Sequence, residues 1–403
     1  MDVIQVQAVD EDLFLIRVND YTIRYFEGLW EIPEGITYNA YVLKTDKGAV
    51  LFDTVKANYA EEYLQALFKI VDPAEIHHLV IHHMEPDHSG AIPHLFKALP
   101  HPPSVWGHPF TKRLLEGLYG LTPEFHAIKD GTTLEIGGQR LVFYQTPWLH
   151  WPETMVTHMP DRGYLLTGDI FGGFGIPDTV FDEPASVKAM LPLSRKYFAT
   201  VVGHYKEYVP KNFRKLETLQ PAPQVILPAH GLLWRHHPEQ IYQAYRDWAL
   251  GTPTPTKVVV AYTSMYGHVE RAIQVAIDAL KGHGMNVEVF RWVDTHHDAL
   301  AEFIGALPDA QAVVLGTATY ESDVYPIMRH VVDEMVHKAA YAKPVLILSA
   351  HGWAGVVGRV LKHVFSDSPY ELIGIVEFRG HLTEKDEKAI QEHINRLVTW
   401  RAD

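Results

Sequence analysis

Seven side chains concentrate the chemistry of this chain: His83, Glu85, Asp87, His88, His150, Asp169 and His230. Four of them fall in one run, His83-Met84-Glu85-Pro86-Asp87-His88-Ser89-Gly90. The apolar stretch just before it, Leu79-Val80-Ile81, reads as a buried strand, so the donors sit where a strand empties into a loop. Asp169 follows Gly163-Tyr164-Leu165-Leu166-Thr167-Gly168, and His230 follows Val225-Ile226-Leu227-Pro228-Ala229, in the same strand-end context. Four imidazoles and three carboxylates are enough ligands for two metal ions. No thiolate can join them, because the chain has no cysteine. A mixed His and carboxylate set with open positions favours redox iron or manganese over structural zinc, which wants closed tetrahedral N/S shells. A carboxylate such as Asp169 can give one oxygen to each of two ions, the arrangement that holds metals about 3.5–4 Å apart.

The competing explanation is abundance. There are 25 histidines among 403 residues, so most imidazoles must do something else. His77, His78, His82, His94 and His101 crowd the motif without fitting it. The spacing within the run, together with the later strand-end His150, Asp169 and His230, favours the metal site.

The run resembles the HxHxDH motif of the metallo-β-lactamase superfamily, with Glu85 where hydrolases place their second histidine. That replacement is the mark of the flavodiiron proteins, the A-type flavoproteins, which this chain resembles from about Val3 to Val398. The resemblance implies one iron on His83, Glu85 and His150 and a second on Asp87, His88 and His230. Asp169 would bridge the two, with no catalytic residue beyond the ligands themselves.

The elements that must position these residues divide at Gly251-Thr252-Pro253-Thr254-Pro255-Thr256, an uncharged, proline-broken stretch that reads as a linker. Domains are therefore expected at 1–250 and 257–403. In the first, Tyr41-Val42-Leu43 and Ala49-Val50-Leu51-Phe52 flank an Asp46-Lys47-Gly48 turn and suggest a hairpin. Tyr59 to Val71 has helical periodicity, with Tyr63, Leu64, Leu67, Phe68 and Val71 on one side. Leu141-Val142-Phe143-Tyr144 is a strand leading to the loop of His150. This pattern suits several α/β arrangements; the αββα sandwich is what the resemblance implies.

Beyond the linker come regular βα units. Val258-Val259-Val260-Ala261-Tyr262 leads into Thr263-Ser264-Met265-Tyr266-Gly267-His268-Val269-Glu270, followed by a helix from about Val269 to Leu280. A small hydroxyl-bearing loop of this kind can cradle a phosphate with free amides and the helix dipole. Ala312-Val313-Val314-Leu315 opens into Gly316-Thr317-Ala318-Thr319-Tyr320-Glu321-Ser322, and Pro344-Val345-Leu346-Ile347-Leu348 into Ser349-Ala350-His351-Gly352-Trp353-Ala354-Gly355. Three loops at the ends of parallel strands make the ligand crevice of a doubly wound sheet.

This module resembles flavodoxin. The resemblance implies that Ser264, Met265, Tyr266, Gly267, His268 and Val269 hold the FMN phosphate. Thr317, Ala318, Thr319, Tyr320, Glu321 and Ser322, with Ala350, His351, Gly352, Trp353 and Ala354, would clasp the ring system, Trp353 by stacking. The chain departs from the family pattern at His268, Val269, Glu321 and His351, and Val269 removes a phosphate hydroxyl donor.

Composition fits an enzyme that binds neither nucleic acid nor membrane. The net charge of -14 argues against a phosphate-backbone binder, and no stretch approaches the ~18–20 apolar residues of a membrane helix. Met1-Asp2-Val3-Ile4-Gln5-Val6 lacks the regions of a signal peptide, so a cytoplasmic location is expected. The absence of cysteine excludes an internal rubredoxin or iron–sulfur module. The resemblance then implies an electron donor from outside the chain, such as a rubredoxin, a flavin reductase or a reduced deazaflavin. What the resemblance implies is transfer from FMN to the diiron pair, which reduces dioxygen to water or nitric oxide to nitrous oxide, in a head-to-tail homodimer or a tetramer. Two alternatives stand beside it: a binuclear zinc hydrolase fused to a flavodoxin, and an electron-transfer protein with an inert front domain. Trp148, Trp151, Tyr25 and Phe26 could line the site, but the core is the expected place for each.

Overall fold

The computed structural model describes residues 3–401 of the chain, which packs as two compact units, Met1–Arg246 and Asp247–Asp403. The division falls inside the helix Pro238–Leu250, a few residues ahead of the proline-broken stretch. That stretch is tied into the second unit: Thr254 N donates to Asp309 O, and Thr256 N to Gln311 Oε1.

In the first unit a seven-stranded sheet runs Ile4–Ala8, Leu13–Asp20, Ile36–Thr45, Gly48–Phe52, Ile76–Ile81, Ser104–Gly107 and Phe125–Ala127, in that spatial order. Pairing is antiparallel up to Gly48–Phe52 and parallel thereafter. A second sheet runs Thr132–Ile136, Gln139–Gln145, Met155–Met159, Tyr164–Gly168 and Val225–Pro228, with only the last pair parallel. Side chains two apart share a strand face. Leu13 with Leu15, Tyr41 with Leu43, and Val50 with Phe52 therefore point together and meet Leu141, Phe143, Met155, Leu166 and Leu227 of the opposite sheet. This is the interior of a β-sandwich.

Helices cover the outer faces, giving the metallo-β-lactamase-like αββα architecture. Ala60–Ile70 lays Tyr63, Ala66 and Leu67 inward, beside the strands Ile4–Ala8 and Leu13–Asp20. Glu61 and Glu62 in its first turn and Lys69 in its last suit the helix dipole. A separate aromatic cluster joins Phe171 to Phe213 of the helix Tyr208–Leu216 and to Tyr242 and Tyr245 of Pro238–Leu250. The expected hairpin forms between Ile36–Thr45 and Gly48–Phe52, with Thr45 Oγ1 donating across the turn to Gly48 O. The strand before the motif starts at Ile76, earlier than its apolar core suggests. His77 and His78 break the apolar pattern there, and His78 Nδ1 accepts from Trp106 Nε1 on the neighbouring strand.

In the second unit the main sheet runs His296–His297, Asn286–Val293, Lys257–Ser264, Ala312–Tyr320, Pro344–His351 and Glu371–Arg379. All neighbours are parallel except the two-residue edge. Taken in chain order, the five parallel strands show the 2-1-3-4-5 order of a flavodoxin-like sheet. Val258, Val260, Val314, Leu346 and Leu348 pack against Ala272, Ile273 and Ala276 of the helix His268–Gly282 and against Ile390 and Ile394 of Glu384–Thr399. Beneath the sheet, the buried Lys343 donates from Nζ to Leu307 O and Pro308 O, at 2.9 and 2.8 Å, and to Ala310 O. These carbonyls follow the helix Leu300–Ala306, where a cation is favoured.

Candidate metal centre and flavin cavity

The first unit delivers all seven expected donors to one end of the sandwich. The strand Ile76–Ile81 feeds His82 and His83, and the short helix Pro86–Ser89 carries Asp87 and His88. Asp169 follows Tyr164–Gly168, His230 follows Val225–Pro228, and His150 lies in the loop beyond Gln139–Gln145. Two groups form: His83, Glu85, His150 and Asp169 have ligand atoms within 4.8 Å of one another, and so do Asp87, His88 and His230. All seven are buried except Glu85, which is partly so.

Asp169 addresses both groups with different oxygens. Its Oδ2 stands 3.5 Å from His83 Nε2 and 3.3 Å from His150 Nε2. Its Oδ1 stands 2.9 Å from His88 Nε2 and 3.2 Å from His230 Nε2. Glu85 Oε2 lies 3.3 and 3.0 Å from His83 and His150. Asp87 places Oδ1 3.3 Å from His88 and Oδ2 3.4 Å from His230.

These contacts have ion-pair lengths, yet most lack hydrogen-bond geometry. Both oxygens of Asp87 and of Asp169, and Nε2 of His88 and His230, find no hydrogen-bond partner although buried. Buried polar groups are rarely left so. A first-row divalent ion holds N and O donors at about 2.0–2.2 Å, so ligand atoms around one ion stand roughly 3 Å apart. The observed spacings therefore fit two coordination shells sharing one carboxylate.

Partners behind the imidazoles fix which nitrogen faces inward. His230 Nδ1 lies 2.6 Å from Thr37 O, and a carbonyl can only accept, so Nδ1 carries the proton and Nε2 is left to bind. His83 Nδ1 donates to Glu153 Oε1 at 2.8 Å, which also accepts from Met84 N. Glu153 is wholly buried. His82, by contrast, turns into the sandwich: its Nδ1 meets Asp53 Oδ2 at 2.6 Å, its Nε2 meets Thr157 Oγ1 at 2.7 Å, and its ring stacks on Phe52.

In the metal-free state the cluster balances its own charge. Burial pulls the His88 and His150 imidazoles down, but Asp87 and Asp169 beside the first, and Asp169 and Glu85 beside the second, lift each to about 9. Glu153, Glu85 and Asp169 likewise overcome burial and hold His83 well above the ordinary imidazole range. Burial opposes ionisation of Asp169 and Glu85 too, yet the facing imidazoles keep both well below the usual carboxylate range. Asp87 goes the other way, raised chiefly by burial, with Glu85 and Asp169 adding to it against the pull of His88 and His230. A site that draws protons to its imidazoles calls for positive charge at its centre.

Aromatic rings close the surroundings. Trp151 lies 4.8 Å from the His83 ring, and Phe26, Tyr38 and Tyr197 lie 6.3, 6.0 and 5.4 Å from that of His230. Trp148 instead packs its ring, tilted, near those of Tyr205 and Tyr208, and Tyr25 is exposed. The buried Tyr197 hydroxyl has no hydrogen-bond partner, and burial beside Asp169, Asp87 and Glu85 keeps it protonated. Glu153, Thr37, Tyr38 and Tyr197 were not marked by any sequence pattern; they reach the site only through folding.

The second unit has a cavity of about 520 Å³ outside the C-terminal ends of the strands Lys257–Ser264, Ala312–Tyr320 and Pro344–His351. Of the expected flavin residues, Ser264, Met265, Tyr266, His268, Val269, Ala318, Thr319, Tyr320, Glu321, Ala350, His351, Gly352 and Trp353 line it, joined by Gly380. Gly267, Thr317, Ser322 and Ala354 do not. Thr317 is buried under the crevice, its hydroxyl 3.0 Å from that of Thr263, and Gly267 supplies the left-handed turn (φ +81°) that starts the helix His268–Gly282. Glu321 and Ser322 form a two-residue hairpin with positive φ at both positions.

This cavity fits FMN on two counts. No side chain caps the helix His268–Gly282, so its first amides are open to a phosphate. Trp353 and Tyr266 are 83% and 84% exposed, bare rings suited to a planar ligand. Trp353 is therefore not a core aromatic.

A family model described as ODP family beta lactamase matches residues 36–231, and one described as NADPH-dependent FMN reductase matches 256–376. The nitric oxide reductase of Moorella thermoacetica is 30% identical over 375 residues, 92% of each chain. The rubredoxin-oxygen oxidoreductase of Megalodesulfovibrio gigas is 30% identical over 410 residues, 98% of each. Among solved structures, a variant of the flavo di-iron protein of Thermotoga maritima is 40% identical and superposes with a TM-score of 0.94 over 98% of both chains. The fold and the paired site thus define a metallo-β-lactamase-like oxidoreductase fused to a flavin module. The chain belongs to the flavodiiron protein family, with FMN and a non-haem diiron centre as cofactors. The zinc hydrolase alternative is not favoured, since these relatives, matched along nearly their whole length, are oxidoreductases. Among the described residues no helix is long and apolar enough to cross a membrane.

Proposed function

We propose that this protein takes electrons from an external carrier and uses them to reduce dioxygen to water, nitric oxide to nitrous oxide, or both. The observation that carries the reading is Asp169, whose two oxygens face two separate groups of imidazoles and carboxylates. In this reading His83, Glu85 and His150 would hold one iron and Asp87, His88 and His230 the other, with Asp169 offering an oxygen to each. When bound, FMN and the two irons supply the one-electron steps that a multi-electron gas reduction needs.

The chain's own residues do the rest. Glu153 and the Thr37 carbonyl fix the tautomers of His83 and His230, so each presents a basic Nε2. Phe26, Trp151 and Tyr197 wall the site with ring surface and limit water. The Tyr197 hydroxyl, protonated and unpaired, is available to donate a hydrogen bond. At the flavin cavity, the open amides before Glu270 suit the phosphate and Trp353 the ring system.

The relatives' names support both gases and a rubredoxin as donor. A flavin reductase or a reduced deazaflavin is an equal candidate for the carrier. A head-to-tail homodimer or a tetramer, and a cytoplasmic location among such carriers, belong to the same proposal. The test is anaerobic: reduce the iron- and FMN-loaded protein, then compare steady turnover with each gas under one electron supply. Faster dioxygen turnover makes it an oxygen scavenger, and faster nitric oxide turnover a detoxifying reductase. Turnover with neither, cofactors loaded, overturns the reading. His83→Asn should stop gas reduction and leave FMN bound; unchanged turnover would point to an inert front domain.

A further inference from the structure

Arg17 is an arginine with no exposed surface, in the middle of the strand Leu13–Asp20. A buried guanidinium is normally matched by a carboxylate, because an isolated charge is costly to take out of water. Here the hydrogen-bond partners are neutral. Nε donates to Asn39 Oδ1 at 2.9 Å and Nη2 to Gly231 O at 2.6 Å, while Nη1 has no hydrogen-bond partner. Burial draws the group down to about 10, which still leaves it charged at neutral pH.

Gly231 directly follows His230 and takes a left-handed φ of +74° that favours glycine. The whole segment from Pro228 to Gly231 is gripped by the first sheet. Asn39 N donates to Ala229 O, and Asn39 Nδ2 and Tyr41 Oη both donate to Pro228 O. Gly231 N donates to Thr37 Oγ1, and His230 Nδ1 to Thr37 O. Arg17 pairs with Asn39 in the strand register, so one fork ties the partner strand and the His230 segment together. None of these contacts of Arg17 involves the group around His83, Glu85 and His150.

We infer that Arg17 is a positioning residue for His230: its guanidinium fork sets the place of the imidazole serving the Asp87–His88–His230 metal position, and that position alone. The inference rests on the ligand assignment proposed above. Loss of a group that orients a metal ligand weakens binding about 10–100-fold. A lysine keeps the charge but offers a single point instead of a fork.

The experiment measures stepwise iron affinities by chelator competition in the full FMN-containing chain, as wild type, Arg17→Lys and Arg17→Met, with Mössbauer spectra to number the iron environments. Thr37→Val, nearly isosteric, removes the Gly231 acceptor from the same segment and serves if Arg17→Met does not fold. The expected result is two tight irons in the wild type, and one unchanged with the other weakened ~10–100-fold in Arg17→Met. Arg17→Lys and Thr37→Val should show a smaller loss of the same iron. Wild-type affinities in Arg17→Lys, or equal loss of both irons in any variant, overturns the inference. A wild type that binds fewer than two irons instead overturns the ligand assignment.

Discussion

Glu153 offers the mirror experiment at the other metal position. Its Oε1 accepts from His83 Nδ1 at 2.8 Å and from Met84 N at 3.1 Å, with no solvent to replace it. Glu153→Leu leaves both donors buried and unanswered, while Glu153→Gln keeps an acceptor and removes the charge. Losing the group that orients a ligating imidazole costs about 10–100-fold in metal affinity, or roughly 1.4–2.8 kcal/mol. Each unanswered buried donor also costs about 1–3 kcal/mol of fold stability. Glu153→Leu should therefore weaken one iron by that factor and lower Tm, and Glu153→Gln should weaken the same iron by less. The assay is stepwise iron release to a chelator, read beside thermal unfolding. Two irons held as in the wild type by Glu153→Leu would refute the claim that this carboxylate sets the His83 nitrogen. Loss of the iron position sensitive to Arg17 instead would refute the assignment of ligands to positions.

Three further outcomes are expected. In metal-free protein His88 and His150 sit at about 9, above the unfolded value of about 6.5. Their contribution is full below that lower value and is lost as pH rises through about 9. The Tm gap between metal-loaded and metal-free protein should therefore widen over this range; a gap that narrows contradicts the charge balance. Lys343→Met strips a donor from three carbonyls and should destabilise the second unit by about 2 kcal/mol or more, read by denaturant unfolding; an unchanged midpoint refutes it. Trp353→Ala should weaken FMN about 10-fold, near 1.4 kcal/mol of stacking, by fluorescence titration; unchanged affinity places the ring elsewhere.

The metal site was legible because its donors follow strands whose apolar residues announce them. Leu79-Val80-Ile81 and Val225-Ile226-Leu227 each mark a strand end, and the run from His83 to His88 needs no tertiary knowledge to stand out. The groups behind the ligands were not legible. Glu153 reaches His83 across 70 residues, Thr37 reaches His230 across 193, and Arg17 reaches Gly231 across 214. Nothing local distinguishes such residues from any other buried polar group. Helix periodicity located Ala60–Ile70 and His268–Gly282 closely, since each has one apolar face. The compact units part at Arg246, within the helix Pro238–Leu250 and a few residues before the stretch that reads as a linker. The burial of Thr317 and its hydroxyl pair with Thr263 were likewise not announced by its place in a loop-bound run.

The ligand positions also bear on how the fold resists opening. His83 and Asp87 leave the first sheet, while Asp169 and His230 leave the second. An ion held between them acts as a cross-link between distant stretches of chain, shrinking the freedom of the unfolded ensemble much as a covalent staple does in proteins that have cysteines to spare. For a chain with no cysteine, iron would then serve the stability of the fold as well as its chemistry. Iron-starved protein would expose its strand-end loops to proteases, and its abundance would follow the metal.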